Sequence, residues 1–164
     1  MMYKFSFFII LMIGMLLSGC KTAESTLTMQ NVRNYDPGAA SHILFLDFRI
    51  TGGDGKAEKA ELVNVVSGNG KLKNVARPVP NPRQMSVVAR YATEHEEVPL
   101  VFEHPLHKAV EVASEDGKLS KQDMHAKEGI LSVRIQQDNG LEKLELYSIT
   151  PEKGNIKIYT LNIK

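Results

Sequence analysis

Cysteine and tryptophan are nearly missing from this chain of 164 residues, which contains one cysteine, Cys20, and no tryptophan. A single thiol cannot form an intramolecular disulfide or build a cysteine-based zinc site. The 20 basic and 19 acidic side chains leave almost no net charge. This balance argues against a nucleic-acid partner, which would require a basic face. Because no disulfide can form within the chain, side-chain packing must hold the fold together.

Common catalytic motifs are also missing from the sequence. No serine occupies the Gly-x-Ser-x-Gly pattern of a hydrolase elbow. The glycine-rich segment 52–55 lacks the Lys-Ser/Thr of a phosphate-binding loop and the alternating acids of a calcium loop, so a hairpin turn is predicted there. We therefore expect a non-enzymatic protein with no cofactor.

The first 20 residues predict export. Lys4 supplies a positive charge, and an almost unbroken apolar run from Phe5 to Leu17 follows it, as in a secretory signal. A membrane-spanning helix would need about 20 predominantly apolar residues, and this run is shorter. An ordinary secretory signal with an incidental cysteine and an uncleaved anchor helix remain as alternatives.

The segment Leu17-Ser18-Gly19-Cys20 resembles the lipobox of bacterial lipoprotein precursors. The resemblance implies that residues 1–19 are removed as a signal peptide and that the Cys20 thiol carries a diacylglycerol. Two or more acyl chains hold a protein stably, because each buried CH₂ contributes about 0.8 kcal/mol. In lipoproteins of enterobacterial type, an aspartate after the cysteine retains the protein in the inner membrane. Lys21 stands here, which implies the outer membrane if the organism is Gram-negative.

Two further regions are predicted after the signal. Residues 20–41 are expected to be the lipidated N-terminus and a tether, since they show no sustained periodicity and end near the turn-forming segment Asp36-Pro37-Gly38. Val32 and Tyr35 are the residues of this region that could pack as an extra edge strand. Residues 42–164 are expected to form one domain.

Alternation of apolar and polar residues predicts about eight strands in this domain. The clearest is 42–51, where every second residue from Leu44 to Ile50 is apolar. The proline-rich stretch 74–83 predicts an extended crossover, and the polar stretch 118–127 predicts a loop or a single helical turn. The strands are predicted at residues 42–51, 58–66, 84–92, 98–103, 106–113, 130–137, 141–149 and 155–163.

This spacing of strands and turns predicts an all-β fold, as an antiparallel two-sheet sandwich of immunoglobulin-like or transthyretin-like type. The last three strands are expected to form an antiparallel meander. The cysteine pair and buried tryptophan typical of immunoglobulin domains are missing, so the likeness is architectural. A small barrel is the alternative topology.

Histidines and glutamates are concentrated in Glu94-His95-Glu96-Glu97 and in Glu103-His104-Pro105-Leu106-His107. Imidazole and carboxylate groups are zinc ligands, and a catalytic zinc site combines three of them with an open position. The simpler interpretation is a solvated loop and strand end, because His-x-x-His outside a helix does not fix where the rings point. The candidate zinc ligands are His104, His107 and His95.

The expected function is therefore that of a membrane-anchored envelope lipoprotein with a non-enzymatic binding or structural domain. Its partner would be an envelope protein or polymer. The alternative is a zinc-binding protein or small metal-dependent hydrolase that uses His104 and His107.

Overall fold

The structure, a computed structural model, describes residues 22–53, 56–73, 81–93, 98–113, 117–138 and 140–164. Within these ranges the fold is all-β, as predicted, and its one helical segment is a single 3₁₀ turn at Met29–Asn31. None of the described residues form a helix that is long and apolar enough to cross a membrane. The described strands are β1 (Ala23–Leu27), β2 (His42–Gly53), β3 (Lys56–Asn69), β4 (Gln84–Tyr91), β5 (Leu100–Glu103), β6 (His107–Ala113), β7 (Leu119–His125), β8 (Glu128–Gln137), β9 (Leu141–Thr150) and β10 (Gly154–Ile163).

These strands form three sheets. A five-stranded sheet has the order β1-β10-β9-β4-β5, a three-stranded sheet has the order β3-β2-β8, and β6 and β7 form a two-stranded ribbon. β1 runs parallel to β10, and the other pairs among the described strands are antiparallel.

Both of the larger sheets contribute residues to the hydrophobic core. In β2 the period of two places Leu44, Phe48 and Ile50 on one face, where each is completely buried. They belong to one cluster of buried side chains that includes Met85 of β4 and Leu144 of β9. Full burial of each such side chain contributes about 1.5–3 kcal/mol.

The N-terminal segment belongs to the fold, so the prediction of a tether over residues 20–41 is wrong from residue 23 onward. β1 pairs with β10 from Ala23 to Leu27, and the side chains of Leu27, Met29 and Val32 are buried in the core. The added edge strand is therefore β1, and the segment around Val32 adds an isolated parallel bridge between Arg33 and Val66 of β3. A five-residue edge strand with mostly polar residues gives too weak an alternation to be recognised.

Two further predictions are wrong, one about which strands pair and one about the kind of element that a segment forms. β8 does not join β9 in a meander, because it pairs with β2 from His42↔Gln137 to Thr51↔Glu128. The polar stretch 118–127 contains β7, which pairs with β6. A two-stranded ribbon buries little on either face, so β7 carries no apolar alternation. The antiparallel pairing of β9 with β10 is confirmed.

Candidate metal centre

The tight turn between β5 and β6 carries the first two candidate residues. The N–H of His107 donates to the carbonyl oxygen of His104 at 3.0 Å, and this bond closes the turn around Pro105. The ring centroids of His104 and His107 lie 4.7 Å apart. The two histidines singled out from the sequence therefore lie side by side, whereas His95 lies outside the described residues.

Glu58 lies next to this turn and belongs to β3 of the three-stranded sheet. Its Oε2 atom lies 3.0 Å from Nε2 of His104, and the two side chains are 8% and 0% exposed. Ser148 Oγ of β9 lies 3.2 Å from the same nitrogen. Glu58 is 46 positions away from His104 in the sequence, so no local pattern could have singled it out.

The other ring nitrogen of His104 determines its tautomer. The N–H of Leu106 donates to Nδ1 of His104 at 3.2 Å, so Nδ1 is an acceptor and Nε2 carries the proton of the neutral ring. Nε2–H then donates toward Glu58. This is not a Ser-His-acid triad, because the acid and the hydroxyl share one nitrogen instead of flanking the ring.

His125 of β7 extends the cluster. It is the register partner of His107, and the two Nδ1 atoms lie 2.8 Å apart. One of these nitrogens must carry a proton and the other must accept it. No local pattern singled out His125, since its stretch was predicted to be a loop or a single helical turn.

Electrostatics keep two of these groups in the form that binds metal. The hydrogen bond from His104, helped by Ser148 and by the nearby charge of Lys153, lowers the pKa of Glu58 to about 2 although burial opposes the shift. Burial also lowers the pKa of His107, and the neighbouring His104, His125 and Arg83 lower it further. At neutral pH, Glu58 is therefore a carboxylate and His107 a neutral imidazole, as metal ligands must be.

A pocket of about 410 Å³ opens beside this cluster. Glu58, His107 and His125 line it, together with Lys56, Lys127 and Lys153. His104 is completely buried and is not among the residues that line the pocket. Both of its nitrogens already make hydrogen bonds, so His104 is suited to orient the Glu58 carboxylate and not to face a ligand in the pocket.

Three potential donor groups lie close together around the 104–107 turn. Glu58, His104 and His107 each place a potential ligand atom within 4.8 Å of the others. A tetrahedral zinc site separates its ligand atoms by about 3.3 Å, given bonds of about 2.0–2.2 Å. His125 adjoins this group through His107, since their Nδ1 atoms lie 2.8 Å apart, and a cation between them requires this contact to open.

Comparisons with known proteins found no relative that could indicate a function. No protein-family model matches the chain, and no curated protein or solved structure matches it either.

Proposed function

We propose that this protein is an exported envelope lipoprotein whose β domain binds a divalent transition metal such as zinc, without catalysing a reaction. One observation carries the proposal: Glu58, His107 and His125 line the same pocket, next to a buried histidine that already holds one oxygen of Glu58. Imidazole and carboxylate ligands suit zinc.

The ligands we propose are Oε1 of Glu58 and one ring nitrogen each of His107 and His125. A cation between the two histidines takes the place of the proton that their Nδ1 atoms share. His104 acts as a positioning residue, because its Nε2–H keeps Oε2 of Glu58 occupied. Hydrogen bonds of this kind to a ligating carboxylate support metal sites.

We propose a sandwich as the arrangement of the two larger sheets, of immunoglobulin-like or transthyretin-like type. The support is the shared core, in which alternate residues of β2 and β8 join those of β4, β9 and β10 in one buried cluster. Packed sheets that interdigitate in this way form a core about 10 Å thick.

Anchoring through Cys20 would hold this domain close to a membrane. Cys20 and Ala23 are three positions apart, and a link of that length reaches at most about 10 Å. β1 starts beside Tyr159 and runs parallel to β10, so its start points toward the end of the sheet where β10 begins. Glu152 and Lys153 precede β10 and line the pocket, which supports a pocket that faces the membrane.

The anchor is tested by Cys20→Ser. We expect this variant to lose acylation and to leave the membrane fraction or remain unprocessed, while the β domain stays folded. Palmitate labelling and cell fractionation measure these properties, and Ser18→Ala is the matched control because it keeps a small residue before the cysteine. Continued labelling of Cys20→Ser would rule out this residue as the lipid site.

The metal site is tested by titrating zinc into the detergent-solubilised full chain. We expect one bound zinc and a higher melting temperature, because a ligand that binds the folded state stabilises it. His107→Ala and His125→Ala should each weaken binding by more than about tenfold, since each removes a ligand. Glu61→Gln is the control and should bind as the wild type does, because Glu61 is exposed and pairs with Arg49. A chain with no bound zinc and no shift in melting temperature would contradict the proposal.

A metal-dependent hydrolase is the second candidate function. The pocket beside the three ligands favours it, because a zinc ion with an open position can activate water. Hydrolysis of test esters by the zinc-loaded chain, lost in His107→Ala, would replace the non-enzymatic proposal.

A further inference from the structure

The pocket beside Glu58, His107 and His125 is rimmed by cations. Lys56, Lys127 and Lys153 line it and are exposed. Among the described residues that line it, the two carboxylates already have positive or donor partners, because Glu152 is paired with Arg83 and Glu58 accepts a hydrogen bond from His104. A bound divalent cation would make the pocket more positive still. Its charge is therefore suited to an anion.

Lys153 is one of these cations. It lies in the turn between β9 and β10, where its N–H donates to Thr150 Oγ1 at 3.2 Å. Its side chain lines the same pocket as Glu58. Lys56 begins β3, two positions before Glu58. Lys56 and Lys153 therefore line the same pocket as the three proposed ligands.

The size of the pocket constrains the anion. A volume of about 410 Å³ exceeds the needs of a bare inorganic ion and falls in the range of about 300–1,000 Å³ typical of small-molecule sites. A tetrahedral anion offers one oxygen to a metal and others to ammonium groups, and lysine is a common point-charge partner of phosphate.

We infer that this pocket binds a phosphate monoester group, with one oxygen on the metal and the others toward Lys153 and Lys56. The inference rests on the metal site proposed above. The group has two possible sources, a soluble phosphate monoester or the headgroup of phosphatidic acid, whose phosphate is also a monoester, and the pocket presents the same chemistry to both.

The test uses the full chain loaded with Co²⁺, whose visible absorbance reports metal binding separately from phosphate binding. Glycerol 3-phosphate is the soluble probe, and the paramagnetic ion should accelerate its ³¹P relaxation if phosphate binds at the metal. Lys153→Gln and Lys56→Gln should each weaken phosphate binding by about tenfold, because a charge at contact distance is lost. Both variants should still bind Co²⁺.

Lys71→Gln is the matched control, because Lys71 is exposed and follows the opposite end of β3. It should relax the probe as the wild type does. Co²⁺ binding without faster relaxation, or with equal relaxation in all three lysine variants, would overturn the phosphate inference and leave the metal site standing. A chain that binds no Co²⁺ would overturn both.

Vesicles of phosphatidylcholine with and without phosphatidic acid distinguish the two sources, with the Co²⁺-loaded Cys20→Ser chain as the binding partner. Flotation with phosphatidic acid alone, weakened by Lys153→Gln, supports a lipid headgroup. Relaxation of glycerol 3-phosphate without flotation supports a soluble ligand. Failure of the metal-loaded chain in both arms would contradict the inference.

Discussion

Glu58→Gln is expected to abolish zinc binding and to make the fold less sensitive to acid. The substitution removes the charged ligand atom but keeps a carbonyl oxygen that can accept the Nε2–H of His104. At neutral pH, we expect the free energy of unfolding to fall by about 1–3 kcal/mol, as for the loss of a charged hydrogen-bond acceptor. Urea unfolding and zinc titration measure the two effects.

The pH dependence follows from the direction of the Glu58 shift. The pKa is lowered from 4.5 to about 2 in the folded state, so the carboxylate stabilises the fold fully above pH 4.5. This stabilisation is lost as the pH falls from 4.5 toward 2, and it amounts to about 3 kcal/mol at 1.36 kcal/mol per pKa unit. Glu58→Gln lacks this component and should lose less stability over that interval.

Glu61→Gln is the matched control on the same strand. Glu61 pairs with Arg49 at 3.5 Å, but its side chain is 69% exposed, so the pair contributes little to stability. We expect a change within about 0.5 kcal/mol and unchanged zinc binding. If Glu58→Gln and the wild type lost equal stability between pH 4.5 and 2, the proposed hydrogen bond to His104 would be wrong.

Glu145 explains why some acid sensitivity should remain in Glu58→Gln. Burial alone would raise the pKa of this carboxyl group, but hydrogen bonds from Arg90, Lys157 and Tyr147 outweigh it and lower the pKa to about 2. The Glu145 side chain is 7% exposed. Its stabilising contribution is therefore lost over the same acidic interval as that of Glu58.

The elements that could be predicted from the sequence are those whose local pattern matches their burial. β2 alternates strictly because one face meets the core and the other does not, and its strand was predicted almost to its ends. The strand β8 was also predicted, at 130–137, and its alternate residues Leu131, Val133 and Ile135 are buried. The partner of β8 was not predicted, because pairing with β2 depends on how the sheets close and not on the turn between β8 and β9.

Some residues of the candidate site have a local signal in the sequence, and others are brought together only by the fold. His104 and His107 are three positions apart, so one turn brings them together, and their spacing could be noticed in the sequence. Glu58 and His125 come from β3 and β7, and only the fold brings them beside that turn. β7 is polar because the ribbon that contains it is exposed on both sides, so neither its strand nor the role of His125 had a local signature.

Gly129→Ala is expected to destabilise the fold and to weaken the metal site at the same time. A Cβ atom at Gly129 would lie 2.7 Å from the carbonyl oxygen and 3.0 Å from the carbonyl carbon of Pro105. Gly129 is held in the ladder opposite Ile50, so the turn that carries His104 and His107 must move instead. We expect a loss of about 1–3 kcal/mol in unfolding free energy, as for overpacked sites.

The same displacement should weaken zinc binding by about tenfold or more, since small misplacement of ligands and their hydrogen-bonding partners is costly at metal sites. Gly68→Ala is the matched control, because Gly68 is also a strand glycine and its added Cβ would meet only the ring of Phe45, with Cε2 at 3.2 Å. Phe45 is 40% exposed and can rotate away, so stability should change by less than about 1 kcal/mol and zinc binding should not change. Destabilisation by Gly129→Ala with unaltered zinc affinity would mean that the 104–107 turn does not position the ligands, and the role proposed for His104 would then be wrong.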